Sequence, residues 1–252
     1  AFDSVAVEWI IITGMIVGSL PFAHYLAMVR GGWRSLLNDP QVRLFLILAV
    51  GLVLLLIWHL MQTGLGFGQA VRQASFNGVS IMTGTGYVSA NFSAWGGFAT
   101  TILLIVMFIG GCGGSTTCGI KVFRLQVLAS TAKVQISRLL RPHAVVLAYY
   151  NKRPVSVEVM DSVMGFFYLF ILGFVLIAIM LGIAGLDFVT ALSGAATSIS
   201  NVGPGLGEVI GADGNFSTIP DSAKWIMTFA MLLGRLEIFT VLVMLNPAFW
   251  QR

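Results

Sequence analysis

Two short glycine-containing runs carry the residue types from which a protein can build a cation site without side-chain charge. The first is Thr83-Gly84-Thr85-Gly86-Tyr87 and the second is Ser200-Asn201-Val202-Gly203-Pro204. Backbone carbonyls can replace the hydration shell of a cation. Glycine adopts the dihedrals that turn such carbonyls toward one axis, and small Thr, Ser and Val residues between them let strands approach closely. Each run follows a segment too short to span a bilayer, Gln69 to Thr83 and Asp187 to Ser200. Alone, either run reads first as an extracellular turn; two at equivalent places favour an ion pore. GTGYVSA is no dinucleotide fingerprint, because no strand precedes it and the third glycine is absent.

With Gly86 laid on Gly203, Ser80 falls on Thr197, Met82 on Ile199 and Thr83 on Ser200. A Trp opens the following apolar run in both, Trp95 and Trp225. The pattern predicts an internal repeat of helix, pore helix, filter and helix. Irregular backbone at membrane depth is tolerated only where it is buried in protein or lines water.

Two further features carry chemistry. The apolar run Ala94 to Ile109 is cut off by Gly110-Gly111-Cys112-Gly113-Gly114-Ser115-Thr116-Thr117-Cys118-Gly119. Each Gly costs a helix about 1 kcal/mol relative to Ala, and the preceding run covers about 24 Å of a roughly 30 Å core. The break therefore falls inside the membrane or at its edge; a cytoplasmic turn is the plainer alternative. Lys121, just beyond, either touches that loop or anchors the interface. Arg235 lies roughly 15 Å past Trp225 along the last apolar run, where an Arg costs about 2.5–3.5 kcal/mol on insertion scales unless it faces a cavity or partner. Glu237 is the nearest carboxylate, but two residues on it stands some 200° around a helix.

The elements that must hold these residues are lipid-facing helices. Hydrophobic residues make up 57% and charged residues 10% of the 252, against about 25% charged in an ordinary soluble domain. So few charges cannot cover a globule of this size. Apolar stretches of spanning length run from Val5 to Val29, Val42 to Leu65, Val157 to Ile183 and Ala223 to Phe249, and Pro21 is expected to bend the first. The fold class expected is an all-α membrane protein of repeated helix, pore helix, filter and helix hairpins with a broken inner helix.

Basic residues orient it. Arg30, Arg34 and Arg43 fall between the first two spans. Lys121, Arg124, Lys133, Arg138, Arg141, Lys152 and Arg153 follow the glycine-rich break. The positive-inside rule puts both groups in the cytoplasm. Arg72, Lys224, Asp187, Glu208, Asp213 and Asp221 then lie outside. The net charge of +4 thus reads as topology and not as a nucleic-acid surface, and no nucleic-acid partner is expected. Cys112 and Cys118 read as buried or loop thiols in preference to a metal pair or disulfide. His24 and His59, without acidic or Cys companions in their spans, read as packing residues. The chain opens without an initiator Met or a charged n-region, so its first apolar run is not read as a signal peptide.

The runs SFNGVSIMTGTGYVSANFSAWGGF, IGGCGGSTTCGIKVFR, SISNVGPGLGEV and LLGRLEIFTVLVML together resemble the Trk/Ktr potassium-uptake superfamily, closest to its TrkH/TrkG-like membrane subunits, over essentially the whole chain. The resemblance implies a C-terminal half: residues 1–41 as the last helix of a preceding repeat plus a cytoplasmic loop, 42–156 as a third pore repeat, and 157–252 as a fourth. It implies potassium uptake across the cell inner membrane, with K+ held on the carbonyls of Thr83, Gly84, Thr85, Gly86, Ser200, Asn201, Val202 and Gly203. Gly86 and Gly203 match the filter glycines, while Gly84 replaces an expected Thr, which keeps the carbonyl but loosens the strand and lowers the selectivity expected. Gating falls to the loop of Gly110, Gly111, Gly113, Gly114, Ser115 and Gly119 and to Arg235, as a barrier to cations, as a partner for carbonyls freed by the loop, or as both.

The partners implied are membrane lipid, the remaining pore repeats (on one longer chain or a second copy), a homodimer, and a cytoplasmic nucleotide-binding regulatory subunit on the basic segment Lys121 to Arg153. That segment reads equally as a solvated face or a headgroup contact. No organic cofactor is expected. The residues by themselves also admit a secondary transporter with discontinuous helices, coupling Na+ or H+ to substrate uptake with Glu237 as the coupling group. A membrane-embedded enzyme lacks any catalytic constellation.

Overall fold

The computed structural model describes residues 4–32, 34–141, 146–151, 153–236, 238–245 and 247–250. The chain is helical with one small antiparallel hairpin, Tyr149–Tyr150 (β1) paired with Arg153–Pro154 (β2). Among the described residues, two helices are long and apolar enough to cross a membrane: α4 (Pro40–Gln62) and α8 (Val157–Ile183).

The first expected span is not one helix. It consists of α1 (Val5–Gly18) and α2 (Phe22–Val29), bent by 97° at Ser19-Leu20-Pro21. Proline cannot donate the backbone hydrogen bond that would carry the helix through, yet a bend this sharp exceeds what a proline kink requires and has a tertiary cause, given below. The short α3 (Arg34–Asn38) leads to α4, whose start is fixed by Asp39: its Oδ1 accepts from Gln41 N at 2.7 Å and Val42 N at 3.4 Å, with Pro40 in the first turn.

Two short helices pack against the spanning ones. α5 (Phe67–Met82) lies against α4 and α1, and α9 (Phe188–Ser200) against α8. From Ala74 to Met82 and from Ser193 to Ser200 they are buried continuously. A helix buried all round cannot show a clean apolar stripe, and small residues are what let neighbours close on every side. The residues after α5 pass through a 3-10 turn (Phe92–Trp95) into α6 (Gly97–Met107), and α9 leads through a longer loop to α10 (Asp221–Arg235), which packs against it. The two Trp positions differ: Trp95 is buried in the turn before α6, whereas Trp225 is exposed within α10.

The last expected span is also interrupted. α10 ends at Arg235 and α11 (Ile238–Leu245) begins after a break, followed by the short α12 (Pro247–Trp250). Glu237 lies outside the described residues. On the expected cytoplasmic side, α7 (Val122–Leu140) packs on α4 and α8, and Gln126 Nε2 donates to Pro40 O at 2.8 Å. Lys152 also lies outside the described residues.

Candidate ion pathway

α5 and α9 end in the same backbone figure. At the C-terminus of α5, Thr83 is right-handed, Gly84 has φ +65° and Gly86 φ +79°. At the C-terminus of α9, Asn201 has φ +54° and Gly203 φ +118°. The second and fourth residues of both runs are thus left-handed, and the third is not. The hydrogen bonds match as well: Thr85 N donates to Ser80 O at 3.0 Å and Val202 N to Thr197 O at 2.9 Å. The register is the one that aligns Gly86 with Gly203.

The runs differ in what braces them. Thr83 Oγ1 and Thr85 Oγ1 share a 2.8 Å hydrogen bond, while Gly203 N is held by Thr197 Oγ1 at 2.9 Å and Asn201 Nδ2 donates to Met231 O of α10 at 3.0 Å. The two runs also touch. A Cβ on Gly86 would collide with the Val202 carbonyl oxygen, and one on Gly84 would stand 3.5 Å from Asn201 O.

The glycine-rich segment after α6 is an ordered loop. Ile109 and Ile120 form a parallel bridge across its neck, with Gly110 N donating to Ile120 O and Ile120 N to Phe108 O, each at 2.9 Å. Gly111 N donates to Thr117 Oγ1 at 2.9 Å, and Gly113 N to Gln41 Oε1 at 2.8 Å. Ser115 Oγ caps Cys112 O at 2.7 Å, and Gly119 turns the chain at φ +74°.

The loop seats in the break between α1 and α2. Cys112 N donates to Ser19 O at 3.0 Å, Phe22 N to Gly114 O at 3.1 Å and Thr116 Oγ1 to Gly18 O at 3.0 Å. The 97° bend therefore frees backbone groups that the loop consumes, and each supplies what the other lacks. The sequence had shown a proline there but not its use. Lys121 Nζ donates to Thr117 O, so it holds the loop, which was one of its two expected roles.

Arg235, at the end of α10, reaches the same loop: Nη1 donates to Thr116 O at 3.1 Å and to Cys118 Sγ at 3.0 Å. A cavity of about 450 Å³ is lined by Thr83, Gly84, Thr85 and Asn201 together with Thr116, Thr117, Cys118 and Arg235. A second, of about 220 Å³, is lined by residues that include Ser115, Lys121, Arg124 and Phe166. Thr116, Thr117, Cys118 and Arg235 belong to both. Gly86, Ser200, Val202 and Gly203 lie beside the first cavity in sequence but outside its lining.

Cys112 and Cys118 are free thiols, the former buried. No cluster of three or more potential metal-ligating His, Cys, Asp or Glu occurs among the described residues. His59 Nε2 bonds Trp95 O at 2.7 Å, as a packing residue would. His24, expected as a packing residue, instead meets polar side chains from beyond its span: Nε2 lies 2.9 Å from Asp39 Oδ2 and Nδ1 3.0 Å from Ser35 Oγ. The partners come from the next turn of chain, which no helical spacing reveals. A pair that the sequence did not suggest joins the buried Glu8 of α1 to the half-buried Arg72 of α5, at 2.8 Å between Arg72 Nη2 and Glu8 Oε1.

The family described as TrkH, a cation transport protein, matches residues 1–252. The Trk system potassium uptake protein TrkI of Halomonas elongata is 44% identical over 239 residues, covering 94% of this chain and 48% of its own. The Trk system potassium uptake protein TrkH of Escherichia coli is 33% identical over 258 residues, covering 99% of this chain and 52% of its own. The crystal structure of the potassium transporter TrkH from Vibrio parahaemolyticus superposes with a TM-score of 0.89 at 36% identity, over 99% of this chain and 54% of that one. The chain thus spans about half the length of the curated relatives it matches. On the family match along its full length, and on the helical architecture it shares with the Vibrio transporter, this chain belongs to the TrkH family of cation transport proteins.

Proposed function

We propose that this chain supplies two quarters of a potassium-conducting pore in a membrane uptake protein, with Thr83 to Gly86 and Ser200 to Gly203 as two filter strands. The observation that carries this reading is their shared pattern, with positive φ at the second and fourth residues and not at the third. Such alternation turns successive carbonyls to one side, which a dehydrated K+ requires. Two strands cannot close a ring around an ion, so further repeats complete it. Residues 42–156 and 157–252 are read as two repeats, and 1–41 as the end of another.

The loop of Gly110, Gly111, Gly113, Gly114, Ser115 and Gly119 then acts as the gate, with Arg235 as an electrostatic barrier. What supports this is the common wall that residues 116–118 and Arg235 give to the two cavities. A fixed cation there opposes K+ passage, and the same guanidinium bonds a loop carbonyl. One residue thus serves both roles read for it.

The relatives' names add potassium uptake and a Trk system. The expected inner-membrane location, homodimer and nucleotide-binding regulator at the segment from Lys121 to Arg153 belong to the same proposal. The test is rubidium flux in cells that lack potassium uptake and express the complete gene product. Gly86→Ser and Gly203→Ser are expected to lower rubidium preference over sodium several-fold, and Arg235→Ala to raise basal flux. Unchanged preference in both glycine variants would remove the filter assignment; lower flux in the Arg235 variant would remove the barrier.

A further inference from the structure

The four consecutive amides of residues 110 to 113 go to four different acceptors: Ile120 O, Thr117 Oγ1, Ser19 O and Gln41 Oε1. Two of these lie within the loop's own neck and one is backbone of the α1–α2 break. The fourth is a side chain from another helix, and it stands on a braced post. Gln41 lies in the first turn of α4, where its own amide is capped by Asp39, whose other oxygen meets His24 of α2. Pro40 O beside it accepts from Gln126 of α7.

Gln41 therefore has a fixed backbone and a flexible arm, and the arm ends on the loop. The approach is close: a Cβ on Gly113 would stand 3.2 Å from Gln41 Oε1 and 3.2 Å from Phe123 Cδ1. An unpaired amide in this partly buried place has no cheap substitute for its acceptor.

We propose that Gln41 is the positioning residue that latches the glycine-rich loop shut, holding Gly113 through its side-chain oxygen from a post that α7 braces through Gln126. The inference rests on the reading of that loop as a gate. Movement of α7 would then reach the loop through Pro40 and the Gln41 side chain.

The test uses the complete gene product in liposomes, with every cysteine but Cys118 replaced by serine. It reads basal rubidium flux and the rate at which a charged methanethiosulfonate reagent modifies Cys118. Gln41→Ala is expected to raise both by roughly three- to tenfold, the range one hydrogen bond supplies. Gln41→Glu keeps the acceptor and is expected to stay near the parent in both. Gly113→Ala attacks the same contact from the loop and is expected to behave as Gln41→Ala, so a folding failure in one variant leaves the other. Deletion of residues 111–114 separates the two hypotheses. If the deletion raises flux while Gln41→Ala and Gly113→Ala behave as the parent, the loop gates but Gln41 is not its latch. If the deletion leaves flux unchanged, the gate reading fails, and the latch with it.

Discussion

Gly84 holds φ +65° and lies beside the Asn201 carbonyl, the position at which the resemblance would place a Thr. A β-branched residue in left-handed backbone is strained by about 1–2 kcal/mol, so glycine here relieves the loop of strain it would otherwise carry. Asn201 solves the equivalent position differently: Asn tolerates that region better than most residues, and its amide is tethered to α10. Gly84→Thr is therefore expected to lower the melting temperature in detergent. Asn201→Gly is expected to leave the backbone unstrained yet alter flux through loss of the Met231 contact. Equal effects of the two on both measurements would contradict this division of roles. Gly84 looked in the sequence like a weakened filter residue; its φ angle assigns it a conformational task that spacing does not reveal.

At the scale of elements, α9 is anchored where α5 is not. The Asp187 carboxylate accepts from the amides of Val189 and Thr190, whereas α5 begins at Gly66 with no side-chain cap. Hydrogen bonding from the Thr190 side chain first, then from those amides, holds the Asp187 carboxyl below its ordinary value. Its folded-state value is depressed, so its stabilisation is complete above about pH 4 and fades as pH falls through the folded value. Asp187→Ala is expected to cost about 1 kcal/mol at neutral pH, read as a lower melting temperature, and the gap from the parent should narrow in acid. A gap that widened in acid would reverse the sign argued here. The start of this helix was legible as the segment from Asp187, and the structure shows that residue as its N-cap. The 97° break between α1 and α2 was legible only as Pro21. Its sharpness comes from the loop that docks there, nearly a hundred residues further along the chain.

At the scale of the molecule, the Glu8–Arg72 pair joins α1 to α5 beside the apolar packing of Ile12 and Met15 on Phe76 and Val79. The Glu8 side chain is 3% exposed against Arg72 at 37%, so the acid bears most of the cost of losing its partner. Arg72→Met is expected to destabilise by about 1–3 kcal/mol, since the arginine is over a third exposed and water can replace part of what it supplies, measured by thermal unfolding in detergent. The double change with Glu8→Leu should recover much of that, because no buried charge remains. A double variant no more stable than the single would mean the pair is not what joins α1 to α5.

Composition, apolar run lengths and the glycine-rich punctuation determined by themselves that the chain is helical, lives in lipid and interrupts its helices at three glycine-bearing places. Those are local properties: hydropathy sets the solvent, and backbone freedom sets where a helix must stop. Only the tertiary structure decided what the interruptions meet. The loop from Gly110 to Gly119 seats in the α1–α2 break, Arg235 closes on Thr116 and Cys118, Gln41 reaches Gly113, and His24 finds Asp39. Each of those contacts satisfies a polar group that one segment leaves open with a group that another leaves open. Only the Arg235 contact was anticipated, as a cation that needs carbonyls freed by the loop; the others leave no trace in the segments that make them.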